Sequence, residues 1–191
     1  MPIQISMRWN GSGHDCRSPF RKNRRAALLI LNCLLAVSIL APQAGAKDPA
    51  KFKPFHLKML DGTKKTLADY TNKLTLVAFF YPRCPYCNVA LPEVQKIYDK
   101  YKDKGLSLVW INVVPQENKL IPKWMEEHNL TAPVLIGASQ ESLMRDYDLK
   151  ATPTHYLLDE KGDVLFHQEG YKPGDEKLLE ESIAGALNIT P

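Results

Sequence analysis

Cys84 and Cys87 stand three residues apart, with Pro85 and Tyr86 between them. If this segment opens a helix, both side chains share one face and can close a disulfide or open to a dithiol with little backbone movement. At a helix N-terminus the free amides and the dipole favour a thiolate on Cys84, and the adjacent Arg83 adds positive charge. Cys84 is then the attacking sulfur, and Cys87, one turn further in, resolves the mixed disulfide formed with a partner protein. Two plainer readings compete. A structural bridge across two residues closes so small a loop that it removes little chain entropy. A zinc site normally draws on four ligands, commonly with a second cysteine pair at similar spacing, and no such pair exists; His56, His128, His155 and His167 are scattered along the chain.

The elements around the pair must supply that helix start. Leu74 to Tyr81 is a continuous apolar, aromatic and β-branched run, the pattern of a strand buried on both faces. Pro82 ends it. From Cys84 to Lys104 the apolar positions Cys87, Leu91, Val94, Ile97, Tyr98 and Tyr101 recur at helical spacing, Pro92 bends the helix, and Gly105 closes it. Before this unit, Phe55 to Leu60 and Lys65 to Leu67 flank Asp61-Gly62, a tight hairpin signal. After it come a strand over Leu106 to Val114, a helix over Ile121 to Asn129, a strand over Val134 to Ile136 and a helix over Glu141 to Tyr147. A hairpin of Thr154 to Leu158 with Val164 to His167 and a last helix over Asp175 to Leu187 complete the order. That alternation predicts an α/β domain with parallel central strands and an antiparallel pair at one side.

The first 46 residues read as a separate segment. Arg21, Lys22, Arg24 and Arg25 precede sixteen nearly uncharged residues, Ala26 to Ala41, and Ala44-Gly45-Ala46 offers a cleavage site. This is the shape of a signal peptide; the rival is an N-terminal anchor, which needs about 18 to 20 apolar residues. Either delivers the rest across the membrane, to a periplasmic or otherwise extracytoplasmic space. Met7 is a second candidate start. Residues 47–53 read as a linker and 54–188 as the domain. The leader carries six of the 25 basic and one of the 21 acidic side chains, leaving 19 and 20. The remaining chain therefore lacks the basic excess that nucleic-acid binding would use, and no nucleic-acid motif replaces it. Cys16 and Cys33 fall in the leader, so the domain holds one cysteine pair.

From about Phe52 to Leu187 the sequence resembles the redoxin branch of the thioredoxin superfamily, particularly the TlpA-like exported oxidoreductases related to cytochrome c maturation thioredoxins. The likeness rests on Phe79 to Cys87, on Pro92, and on Ala151-Thr152-Pro153-Thr154 leading into Tyr156 to Gly162. It implies a thioredoxin-like fold with an N-terminal β-hairpin and a central βα insertion between Pro115 and Tyr147. It also implies a cis Pro153 against the cysteines, Thr152 offering backbone hydrogen bonds to an extended substrate, and a substrate surface of Arg83, Pro85, Tyr86, Thr152 and Pro153. Three positions depart from the family. Arg83 stands where many relatives carry tryptophan, Ala78 where thioredoxins carry a buried acid, and Ala90 where some cytochrome-maturation relatives carry glutamate. No obvious proton acceptor is left for Cys87, and Glu93 lies too far round the helix to serve.

The expected activity is thiol-disulfide exchange with protein thiols and disulfides, the Cys84–Cys87 disulfide being the redox group, with no separate cofactor and no metal. Electrons would come from a membrane donor protein, and membrane contact would run only through the N-terminal segment if it stays uncleaved. Two alternatives are carried. Phe80-Tyr81-Pro82 resembles the approach to a peroxidatic cysteine, but Tyr86 is not the threonine such a site needs. A copper-handling protein would use both thiolates with His155 or Met144 as a further ligand.

Overall fold

The computed structural model describes residues 50–190. The expected signal segment and the first part of the linker lie outside the described residues.

Strand β3, Leu74–Phe80, is buried at every position, as its unbroken apolar run predicts for a strand covered on both faces. Around it the chain forms a seven-stranded sheet in the order β2-β1-β5-β4-β3-β6-β7. Its other strands are β1 (His56–Met59), β2 (Lys64–Thr66), β4 (Leu106–Asn112), β5 (Val134–Ile136), β6 (Thr154–Asp159) and β7 (Val164–Glu169). Strands β3, β4 and β5 run parallel, and β6 pairs antiparallel with β3. The helices are α1 (Pro85–Tyr101), α2 (Ile121–Glu127), α3 (Gln140–Asp146) and α4 (Asp175–Ala186).

Alternate β3 residues enter different cores. Leu74, Leu76, Ala78 and Phe80 join a cluster with Cys84, Cys87 and Leu91 of the α1 region, Trp124 of α2 and Ile183 of α4. Val77 and Phe79 face the other way, against Phe52, Phe55, Leu143 and Tyr147. Each fully buried Leu or Phe contributes roughly 1.5–3 kcal/mol relative to exposure. Helix α1 is tied to α4 as well, because Glu180 accepts hydrogen bonds from Lys100 Nζ (2.6 Å) and Tyr101 Oη (3.2 Å).

Several boundaries differ from the sequence expectation. The β1–β2 connection is four residues, Leu60 to Thr63, in which Gly62 alone takes a positive φ, +87°. Gly62 N–H donates to Met59 O and Met59 N–H to Thr63 O, at 3.0 and 2.8 Å, and Asp61 stays outside the left-handed region because one glycine suffices for this turn. Helix α1 ends at Tyr101 and tightens into a 3-10 turn, Lys102–Lys104, before Gly105 at φ +109°. Pro92 sits inside the helix without ending it. Leu67 belongs to a 3-10 turn, and Pro115–Leu120 forms another between β4 and α2. The described part of the expected linker packs on the domain. Ala50 and Phe52 hydrogen-bond the β6–β7 hairpin, through Ala50 O to Val164 N and Phe52 N to Gly162 O, and buried Phe52 stacks on Tyr147 at 5.0 Å.

Candidate active site

The β3–α1 junction puts both cysteines at the carboxyl end of a central strand, where parallel sheets place ligand-binding groups. Cys84 is the N-cap of α1 in extended conformation (φ −71°, ψ 116°), and Pro85 takes the first helical turn, where its missing N–H costs nothing. The cap is the sulfur itself: Cys87 N–H donates to Cys84 Sγ at 3.1 Å. A disulfide joins Cys84 to Cys87, with Cα atoms 5.2 Å apart. No acidic residue stands in the first turn of α1, so within the helix start itself the cap is the sulfur.

Opposite the pair, the Thr152–Pro153 peptide bond is cis, as the family resemblance implies, and Pro153 is buried. Thr152 meets Cys84 twice. Its Oγ1 donates to Cys84 Sγ at 3.5 Å and its carbonyl oxygen lies 3.6 Å from the same sulfur. In the disulfide that sulfur has no proton, so the carbonyl contact becomes a hydrogen bond only in the thiol form. The hydroxyl favours the thiolate, the carbonyl the protonated thiol. Only the backbone of Thr152 was expected to matter; the hydroxyl is added by the fold.

Burial does not separate the sulfurs, since Cys84 is 1% and Cys87 0% exposed. Their surroundings do. Arg83, Pro85 and Tyr86 beside Cys84 are exposed, Tyr86 at 62%, whereas Ala90 and Leu91, on the turn after Cys87, are fully buried. A cleft beside Pro82 and Arg83 is completed by Lys119, Lys123, Trp124 and Glu127. A second, on the other side of Thr152, is lined by Tyr81, Met144, Lys150 and Ala151.

The loop before Cys84 is latched from the insertion. Glu117 in the Pro115–Leu120 turn accepts from Arg83 N–H at 3.0 Å, and Trp124, stacked on Phe80 at 4.9 Å, donates its Nε1–H to Asn88 in α1 at 2.7 Å. Neither contact was expected from sequence. Glu93 pairs with Lys96 at 2.8 Å on the helix surface, away from this role. Of the two residues offered for copper, Met144 is 42% exposed on α3 and His155 is buried in β6; among the described residues no three His, Cys, Asp or Glu side chains gather as a metal site.

A vicinal disulfide capping a helix, faced by a cis-proline loop on a mixed sheet of this order, defines a thioredoxin-fold thiol-disulfide oxidoreductase. The profile of the family described as Redoxin matches residues 43–186. Thiol-disulfide oxidoreductase ResA of Geobacillus kaustophilus is 32% identical over 150 residues, covering 74% of this chain and 82% of that protein. Sporulation thiol-disulfide oxidoreductase A of Bacillus subtilis is 31% identical over 126 residues, 65% and 75% of the two chains. Among solved structures, a Chlorobium tepidum chain named as thiol:disulfide interchange protein DsbE aligns with a TM-score of 0.66 at 27% identity, over 74% of this chain and 98% of that one. StoA of Bacillus subtilis aligns at 0.56 with 27% identity, over 71% and 99%. The chain belongs to the Redoxin family.

Proposed function

We propose that Cys84 is the attacking and attacked sulfur and Cys87 the resolving one, in exchange with cystine-bearing segments of partner proteins outside the cytoplasm. The observation that carries the assignment is the cap: Cys84 Sγ receives both the helix N–H of Cys87 and the Thr152 hydroxyl. These donors stabilise negative charge on that sulfur and on no other.

A partner segment would lie extended along Thr152 and Pro153 and rest on exposed Tyr86 and Pro85, with Arg83 and Lys119 beside it for partner carboxylates. The basic block and apolar run of the first 46 residues support an extracytoplasmic site of action. There the protein would act as a reductant or exchange catalyst and draw its electrons from a membrane donor. No group beyond the cysteine pair is needed, because the dithiol itself carries the two electrons.

The test is reduction of a cystine peptide by wild type, Cys84→Ser and Cys87→Ser protein. Cys84→Ser should be inactive without forming an adduct, and Cys87→Ser should stall as a mixed disulfide through Cys84. Adduct formation through Cys87 in Cys84→Ser, at the wild-type rate, would overturn the assignment.

A further inference from the structure

The resolving cysteine needs somewhere to put its proton, and the positions where relatives carry an acid hold Ala78 and Ala90. The sheet register places a different base there. In β3 Ala78 faces the α1 side, with Leu76 and Phe80. Across the antiparallel pair, Ala78 stands directly opposite His155 of β6, and directly paired residues present their side chains to the same face. His155 follows Pro153 by two residues, so it shares the face that Pro153 turns to the cysteines. On the other side of Ala78, in β4, its partner is Trp110.

Both flanking residues carry buried polar atoms with no hydrogen-bond partner: Nδ1 and Nε2 of His155, and Nε1 of Trp110. Buried polar groups are nearly always paired, because stripping their water without replacement is costly. Two unpartnered side chains flank one alanine of the cluster that holds Cys84 and Cys87, Trp110 as a member of that cluster and His155 through its register with Ala78, and they mark a place kept for transient charge rather than for packing. A leucine at either position would pack without that cost.

We propose that His155 is the proton acceptor of Cys87, reached directly or through one water. The inference rests on the Cys84-attack reading above and adds a base to its second step. In the reduced protein the Cys84 thiolate attacks a partner disulfide; a Cys84–partner bond forms, the partner's own bond breaks, and one partner thiolate leaves. Cys87 then attacks Cys84 Sγ. As the Cys84–Cys87 bond forms, the Cys87 proton passes to His155, the Cys84–partner bond breaks, and the second thiolate leaves. The imidazolium releases its proton to that thiolate or to solvent. Two electrons have moved to the partner, and the protein ends in the disulfide state seen here.

The surroundings keep the ring a base. On this face of the sheet the titratable groups from the α1 region are Cys84 and Cys87, in one cluster with Leu76, Ala78 and Phe80 of β3, and β7 pairs Gln168 with His155 and Phe166 with Leu157. The same cluster takes Leu179 and Ile183 from α4, and Tyr171, packed against it, is tied by its hydroxyl to Glu176 at 2.9 Å. None of these supplies a fixed charge to the ring, and burial alone pushes its pKa down to about 4 in the disulfide form. A thiolate on Cys87 supplies the missing counter-charge only when the pair is open, so the base gains its proton at the step that needs it.

The test mixes reduced protein with excess 5,5′-dithiobis(2-nitrobenzoate) and follows release of the coloured thiolate. The first equivalent reports attack by Cys84 and the second reports resolution by Cys87. In His155→Leu and in His155→Gln the first phase should stay within about twofold of wild type, while the second slows at least about tenfold at pH 7 with its pH profile displaced to alkaline values. Ala78→Asp in the His155→Leu background, with an acid on the opposite strand, should recover the second phase. A second phase unchanged in rate and pH profile in folded His155→Gln overturns the proposal. Loss of the first phase in wild type would instead refute the role of Cys84.

Discussion

Helices α1 and α3 begin alike and serve different ends. In each, the residue before the helix is extended and its side chain accepts an N–H from three residues on: Cys84 Sγ from Cys87 at 3.1 Å, Ser139 Oγ from Ser142 at 3.2 Å. The α3 start also has Glu141 in its first turn, held below the usual carboxylate range chiefly by its own backbone N–H and by Ser139. Its helix dipole already meets a permanent anion. The α1 start has no acid, a proline at the first position and Arg83 just outside. The same capping geometry is a stability device where the helix carries its own anion in the first turn, and a redox device where the capping atom is a sulfur whose charge comes and goes.

The comparison can be broken most severely by Cys84→Ser. Serine keeps the cap, so the helix should persist by circular dichroism, while peptide-disulfide exchange falls by about a thousandfold or more because the nucleophile is gone. The next largest effect is on acid stability. His155 has a folded pKa of about 4 against an ordinary 6.5, so the unfolded chain takes the proton first as pH falls. The stability present above pH 6.5 is lost progressively toward pH 4, by roughly 3 kcal/mol. Urea melts of the oxidised protein at pH 7 and 4 should show this loss, and His155→Leu should reduce it by that amount.

Smaller changes sharpen the two caps separately. Thr152→Val removes a donor from Cys84 Sγ and should move the midpoint of Cys84 alkylation against pH upward by about one unit, with little change in melting temperature. Ser139→Ala should lower stability by about 1 kcal/mol and leave exchange rates unchanged, since that cap touches no reacting group.

Much of this was legible before the fold was known. The run from Leu74 to Tyr81 followed by helical spacing from Cys84 fixes the strand-to-helix junction, because a twice-buried strand and an amphipathic helix have different periods. The place of Thr152 and Pro153 came from family resemblance, since no local pattern links positions 68 residues from Cys84. His155 was legible as a residue but not as a neighbour of Ala78. Strand β6 reads Thr-His-Tyr-Leu-Leu-Asp, with polar and apolar residues that do not alternate, so its pattern does not say which side faces α1, and register between strands 77 residues apart is set by packing. The Glu117 latch on Arg83 was hidden for a related reason: its partner is a backbone N–H, which every residue but proline has. The packing of Phe52 was not legible because Lys51 and Lys53 flank it, and a single buried aromatic between charges has no periodicity.

The most direct measurement reduces the wild-type protein, exposes it briefly to iodoacetamide near pH 6, and locates the label by peptide mass. Label on Cys84 with Cys87 spared is the expected result, because only the capping sulfur is held as a thiolate at that pH. Equal labelling of the two, or preference for Cys87, would contradict the claim that the helix start selects the reactive sulfur.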